Sequence, residues 1–229
     1  MDFNSEAELV QFFISQLTLG KAAQLGPFEI VAEEVSCKQG ITDVIAVKKP
    51  LNSNSMEALY SCSSLNEASG VLGVLKGQSP RTHSYLLEST AVSKKSVSKI
   101  IQELLSRSLI KEISEGKYVS TVANEIEKTE IWSFEAKLSN WKRALFQAAQ
   151  HVAFSTYSYM VIPKCKEKLI IKNSATIRHY GVGVISCSKN GDIDIVIRAK
   201  RNNRIVKCDV LFVLGKCCST KNSDKRLHE

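Results

Sequence analysis

The segment "EIWSFEAKL", Glu130 to Leu138, constrains the chain more than any other. It alternates as a strand does, so successive side chains point to opposite faces. Trp132, Phe134, Ala136 and Leu138 share one face, which is apolar and suited to a core. Ile131, Ser133, Glu135 and Lys137 share the other. Glu135 and Lys137 therefore project the same way, roughly 7 Å apart along the strand, close enough to serve one site. Two charges in a half-buried strand are costly unless they are paired, bound to something or open to a cleft. A helix is predicted directly afterwards, over 139–154, with Trp141, Leu145, Ala148 and Val152 on one stripe.

The chain has 229 residues, enough for one large domain or two small ones with separate cores. Its net charge of +8 suggests a polyanionic partner, although basic proteins that bind no nucleic acid are common. Seven cysteines, an odd number with no Cys-x-x-Cys pair, argue against a zinc finger and against a secreted disulfide framework. They fit reduced structural thiols in a cytoplasmic protein. The start "MDFNSEAE" is acidic and polar, so no signal peptide is expected. No apolar run approaches membrane-spanning length, and no membrane partner is expected. Gly-x-Ser-x-Gly is absent, as is a glycine-rich loop ending in Gly-Lys-Ser or Gly-Lys-Thr, which excludes the usual serine hydrolase and nucleotide-binding readings.

Along the chain, "SEAELVQFFISQL" predicts a helix capped by Ser5, with Leu9, Phe12, Phe13 and Leu17 at helical spacing. "FEIVAEEVSC", "KQG" and "ITDVIAVKK" read as a hairpin, and "PLNSNSME" as a linker. Residues 59–122 differ in texture. Helices are predicted near 64–75 and 82–88. A stronger helix follows with Ser93 as its cap and Val97, Ile100, Ile101, Leu104 and Leu105 as its stripe. A short hairpin turns at Glu115-Gly116. Beyond the central strand and helix come a strand "YSYMVIP" and a hairpin around Asn190-Gly191. "VKCDVLFVLG" fits strand or helix, and the basic tail 219–229 reads as loose.

Three helices and a hairpin, with a basic face on the third helix, resemble a winged helix-turn-helix domain over 56–122. The resemblance implies nucleic-acid contact through Lys94, Lys95, Ser98 and Lys99, with Arg81 and His83 beside them. The plainer reading is a helical subdomain whose lysines form a solvated face or meet a protein partner.

Asp43 is a lone acid on another apolar strand. Asp43 and Glu135 on neighbouring strands suit a hard divalent cation, magnesium or alternatively manganese. Asp43, a long gap and then Glu135-Ala136-Lys137 resemble the Asp…Glu-x-Lys motif of the PD-(D/E)xK nucleases. Thr42 stands where that motif usually has proline. Helix, hairpin carrying the acid, strand carrying Glu-x-Lys, helix and strand follow the order of that superfamily's core. The implied fold is α/β (α+β): a restriction-endonuclease-like mixed sheet flanked by helices, built from 1–52 and 124–218 with the winged-helix-like segment inserted.

The resemblance implies that Asp43, Glu135 and the Ala136 carbonyl hold the metal, with Lys137 steadying water and transition state. Gln147 matches the glutamine of a Gln-x-x-x-Tyr pattern found on the following helix, and His151 replaces its tyrosine. A further acid is expected from Glu8, with Glu6 second, or from Glu33 or Glu34, with Glu34 preferred. Arg198, Lys200 and Arg201 are expected to meet phosphates. The implied activity is metal-dependent phosphodiester hydrolysis, a DNA endonuclease ahead of an RNA one, and cutting two strands commonly uses a homodimer. The alternatives are a DNA-binding regulator or an assembly protein on a degenerate nuclease fold.

Overall fold

The computed structural model describes residues 3–90 and 92–225. The chain forms two compact units. One comprises the residues up to Lys48 with Glu130–Ile205, the other Lys49–Thr129 with the residues from Val206 onward. In chain order, the first unit opens with α1 (Glu6–Thr18), β1 (Ile30–Cys37) and β2 (Gly40–Lys48). The second follows with α2 (Ser53–Tyr60), α3 (Leu65–Val74), β3 (Arg81–Thr82), α4 (His83–Ser89) and α5 (Lys94–Ser106). It continues through β4 (Ile110–Ser114), β5 (Lys117–Ser120) and α6 (Ala123–Lys128). The first unit resumes with β6 (Glu130–Ala136), α7 (Trp141–His151), β7 (Tyr157–Pro163), α8 (Glu167–Lys172) and α9 (Ser174–His179), then β8 (Gly183–Cys187) and β9 (Ile193–Ile197). Finally α10 (Lys207–Lys225) returns to the second unit.

The first unit is a mixed α/β structure. Its six strands run in the order β1-β2-β6-β7-β8-β9. The pairs β6/β7 and β7/β8 are parallel and the others antiparallel. The parallel pairs need crossovers, which α7 supplies first and α8 with α9 second. The expected alternation of "EIWSFEAKL" sorts the two faces. Trp132, Phe134 and Ala136 join Leu9, Phe13 and Leu17 of α1, with the rings of Phe13 and Phe134 edge-on at 4.9 Å. Across the sheet, Met160 and Ile162 meet Ala144, Leu145 and Ala148 of α7, together with Ile170 and Ile177. The β1–β2 turn ends on Gly40, whose φ of +128° few other residues adopt.

In the second unit, β3, β5 and β4 form a three-stranded antiparallel sheet. Ser93 caps α5 by accepting the Ser96 N–H; of the expected stripe, Val97, Ile100, Ile101 and Leu104 are buried and Leu105 is half-buried. The segment expected to be a linker forms α2 instead. Asn52 caps it, the Glu125 carboxylate accepts the Asn52 N–H at 2.9 Å, and Met56 and Leu59 are buried. The C-terminal apolar segment, expected within the 124–218 core, is a helix that packs on α2 and α3. Glycines permit the approach: a Cβ on Gly73 would lie 2.9 Å from the Cys208 backbone nitrogen. Of the tail expected to be loose, the helix runs as far as Lys225, and 226–229 lie outside the described residues. Among the described residues, no helix is long and apolar enough to cross a membrane.

Candidate active site

The site lies where two strands part. The β2/β6 ladder stops at Val44 and Phe134, whereas β6 stays on β7 through Ala136 and Val161. Lys137 N–H then donates to the Val161 carbonyl at 3.1 Å. Extending the register past Val44 places Asp43 opposite Glu135, and the β1/β2 register places Glu34 opposite Asp43. The Asp43 carboxylate turns into the gap, where its Oδ2 accepts the Ala136 N–H at 2.8 Å.

Lys137 gathers these groups. Its ammonium donates to the Ala136 carbonyl at 2.9 Å. It also lies 3.1 Å from Glu135 Oε1, 3.3 Å from Glu6 Oε2 and 3.6 Å from Asp43 Oδ2. The Glu135 side chain is fully buried and that of Lys137 is 12% exposed. Glu135 Oε2 has no hydrogen-bond partner among the described residues. Burial, and then the charge of Asp43, push the Glu135 carboxyl up to about 7 against the pull of Lys137. Burial pulls the Lys137 ammonium down, but attraction by Glu135, Asp43 and Glu6 outweighs it, so the net shift is upward.

α7 packs on β6 and β7. Its seat on the sheet is polar: Ser158 Oγ donates to the Ala148 carbonyl, and Ser133 Oγ lies 2.7 Å from Ser155 Oγ. His151 is buried, with Nε2 3.3 Å from the hydroxyl of the fully buried Thr42, the residue before Asp43. Burial holds the imidazole down at about 4, so it is neutral at pH 7. His151 Nδ1 and the Gln147 amide oxygen have no hydrogen-bond partner among the described residues.

The upstream acids separate. Glu6 reaches Lys137, and Glu8, the favoured candidate, does not figure among its partners. Glu8 closes the start of α1: its N–H donates to Ser5 Oγ, its Oε2 accepts the Asn4 N–H, and its Oε1 pairs with Lys189 at 2.6 Å. The Ser5-x-x-Glu8 spacing carried that signal, since it is a capping-box pattern. Glu33 accepts from the Gln11 amide at 2.7 Å. Glu34 is exposed and left-handed, with φ +50°. Thr42 and the serines under α7 gave no sequence signal, because lone hydroxyls on strands are common.

In the second unit, Lys94, Lys95, Ser98 and Lys99 all stand exposed on α5. His83 Nε2 lies 3.0 Å from Ser98 Oγ, and the Arg81 guanidinium stacks 4.7 Å over the Tyr85 ring. In the first unit, Arg198 and Lys200 are exposed, while Arg201 pairs with Glu130 at 2.6 Å.

No cluster of three His, Cys, Asp or Glu side chains suited to a metal occurs among the described residues. The expected set is different in kind: two carboxylates and one backbone carbonyl, all within 3.6 Å of one cationic atom. These are hard oxygen donors, and the orphaned, buried Glu135 Oε2 adds a further acceptor. Such a set fits magnesium or manganese. No protein-family model, curated protein or solved structure matches the chain.

Proposed function

We propose that this chain is a metal-dependent nuclease that hydrolyses phosphodiester bonds, with DNA favoured over RNA. The observation that carries the reading is the meeting of Asp43, Glu135, the Ala136 carbonyl and Lys137 where β2 leaves β6. The sequence of elements supports it: α1, the β1–β2 hairpin with Asp43, β6 with Glu135, then α7 and β7 follow the order of the PD-(D/E)xK core. In this reading Asp43, Glu135 and the Ala136 carbonyl would hold magnesium, or manganese in its place. The cation supplies Lewis acidity at phosphorus and lowers the pKa of water. Lys137 donates to the attacking water and to a non-bridging phosphate oxygen, and its charge offsets the charge that develops there. Glu6 keeps the ammonium aligned from the solvent side. Burial of Glu135 excludes bulk water from the inner wall, which strengthens every one of these interactions.

The second unit supplies substrate binding in the same proposal. Its order of α3, α4, α5 and the β4–β5 hairpin agrees with a winged helix-turn-helix, with α5 as the helix for the groove. Lys94 and Lys95 occupy the first turn of α5. A helix dipole disfavours cations there, so their placement costs stability unless an anion is bound. Phosphates of the backbone are that anion, and Lys99 continues the row one turn on.

The test is cleavage of supercoiled plasmid and of labelled single- and double-stranded oligonucleotides, with magnesium, with manganese and with EDTA. The natural chain is compared with Glu135→Ala and Lys137→Ala. Metal-dependent cutting that both substitutions abolish is the expected result. Salt-sensitive binding with no cutting under any metal overturns the enzyme reading and leaves a DNA-binding regulator.

A further inference from the structure

Lys137 is surrounded by oxygen from three elements. Ala136 O and Glu135 Oε1 come from β6, Asp43 Oδ2 from β2 and Glu6 Oε2 from α1, at 2.9, 3.1, 3.6 and 3.3 Å from Nζ. Three of these four are the candidate metal ligands. The cage holds three carboxyl groups against one ammonium, so it favours more positive charge than the lysine provides. The buried Glu135 Oε2 is left without a hydrogen-bond partner among the described residues, an acceptor the lysine does not satisfy.

We infer that the Lys137 ammonium and the divalent cation compete for one oxygen cage, so that Lys137 closes the metal-free site and swings outward when the site loads. This rests on the proposed metal site above. One point cannot hold both charges. A cation bound by Asp43, Glu135 and the Ala136 carbonyl takes the acceptors that now hold Nζ. Lysine is suited to the exchange because its charge rides on a flexible four-carbon stem with three rotatable donors. Glu6 is 48% exposed and marks the side open to solvent, where the displaced ammonium keeps a partner. The same residue thus opposes metal binding and serves the chemistry, and the two effects separate by substitution.

The experiment titrates Mn2+ into nucleic-acid-free protein and reads free Mn2+ by electron paramagnetic resonance. It compares the natural chain, Lys137→Met and Glu135→Gln. The methionine keeps the stem and removes the charge. Competition predicts that Lys137→Met binds Mn2+ about tenfold more tightly, the scale on which neighbours of a metal site tune its affinity, while cleavage is lost. Equal or weaker binding by Lys137→Met, with the natural chain binding and Glu135→Gln not, overturns the competition and leaves the metal site standing. No binding by any of the three overturns both. A second readout needs no variant: Lys137 is acylated by an amine reagent with and without Mn2+, and the modified peptide is quantified by mass spectrometry. Displacement predicts faster modification with the metal, and unchanged or slower modification overturns it.

Discussion

Asp43 Oδ2 accepts the Ala136 N–H at 2.8 Å, just beyond the last ladder pair of Val44 and Phe134. One carboxylate thus ends the pairing of two strands and lines the gap it opens. Asp43→Asn keeps an oxygen for Ala136 and removes the charge. Stability should change by less than about 1 kcal/mol while cleavage is lost. Asp43→Ala leaves that N–H without its acceptor and should cost about 1–2 kcal/mol as well. Urea denaturation and plasmid cleavage on the same preparations check both.

Two buried groups should oppose each other in the pH dependence of stability. Glu135 is raised from 4.5 to about 7 in the fold, so the native state binds the extra proton between those values. Its contribution is fully present below pH 4.5 and is lost as pH rises through 7. His151 is depressed from 6.5 to about 4, so its contribution is present above pH 6.5 and is lost as pH falls through 4. Metal-free Glu135→Gln should gain stability as pH rises across this window, and His151→Gln should lose it. Equal slopes in the two variants, measured by denaturation at a series of pH values, would refute the assignment.

Thr42 ties the start of β2 to α7 through His151. Thr42→Val leaves a buried imidazole nitrogen unpaired and should cost roughly 1–3 kcal/mol. The pair Thr42→Val with His151→Phe should cost less than the sum of the single changes, by on the order of 1 kcal/mol. A double-mutant cycle in urea measures this coupling.

The α5 lysines are exposed, so removing them should spare the fold. Each of Lys94→Ala, Lys95→Ala and Lys99→Ala that loses a phosphate contact should flatten the plot of log affinity against log salt by about 0.9. Binding should weaken similarly across sequences, since phosphate contacts carry no base readout. Fluorescence anisotropy over a salt series checks it, and unchanged slopes would remove α5 from the interface.

Gly73 and Gly215 should differ although both face close neighbours. A Cβ on Gly73 meets the Cys208 backbone nitrogen at 2.9 Å, which cannot yield without moving α10. Gly73→Ala should destabilise by about 1–3 kcal/mol. A Cβ on Gly215 meets Leu65 Cδ1 at 2.6 Å, the end of a side chain that can rotate. Gly215→Ala should cost less, or gain from the better helix propensity of alanine. Thermal melts of the two variants make the comparison.

The sequence by itself determined the elements whose signal is local. The alternation of residues 130–138 put Trp132 and Phe134 in the core, and the stripe and Ser93 cap set α5. Glu135 and Lys137 were placed on one side of a strand by its period of two, and they meet at 3.1 Å. Tertiary structure decided what local periodicity does not encode. Glu6 and Glu8 both lie in the first turn of α1, and only the docking of that helix on the sheet brings Glu6 to Lys137. Polar "NSNSME" forms a helix because Met56 and Leu59 find buried contacts and Glu125 braces its cap. The apolar end of the chain suits either unit by composition, and the small surfaces of Gly73 and Gly215 seat it against α3, beside α2. Burial, charge and close approach are properties of what surrounds a residue, and those surroundings come from segments far apart in the chain.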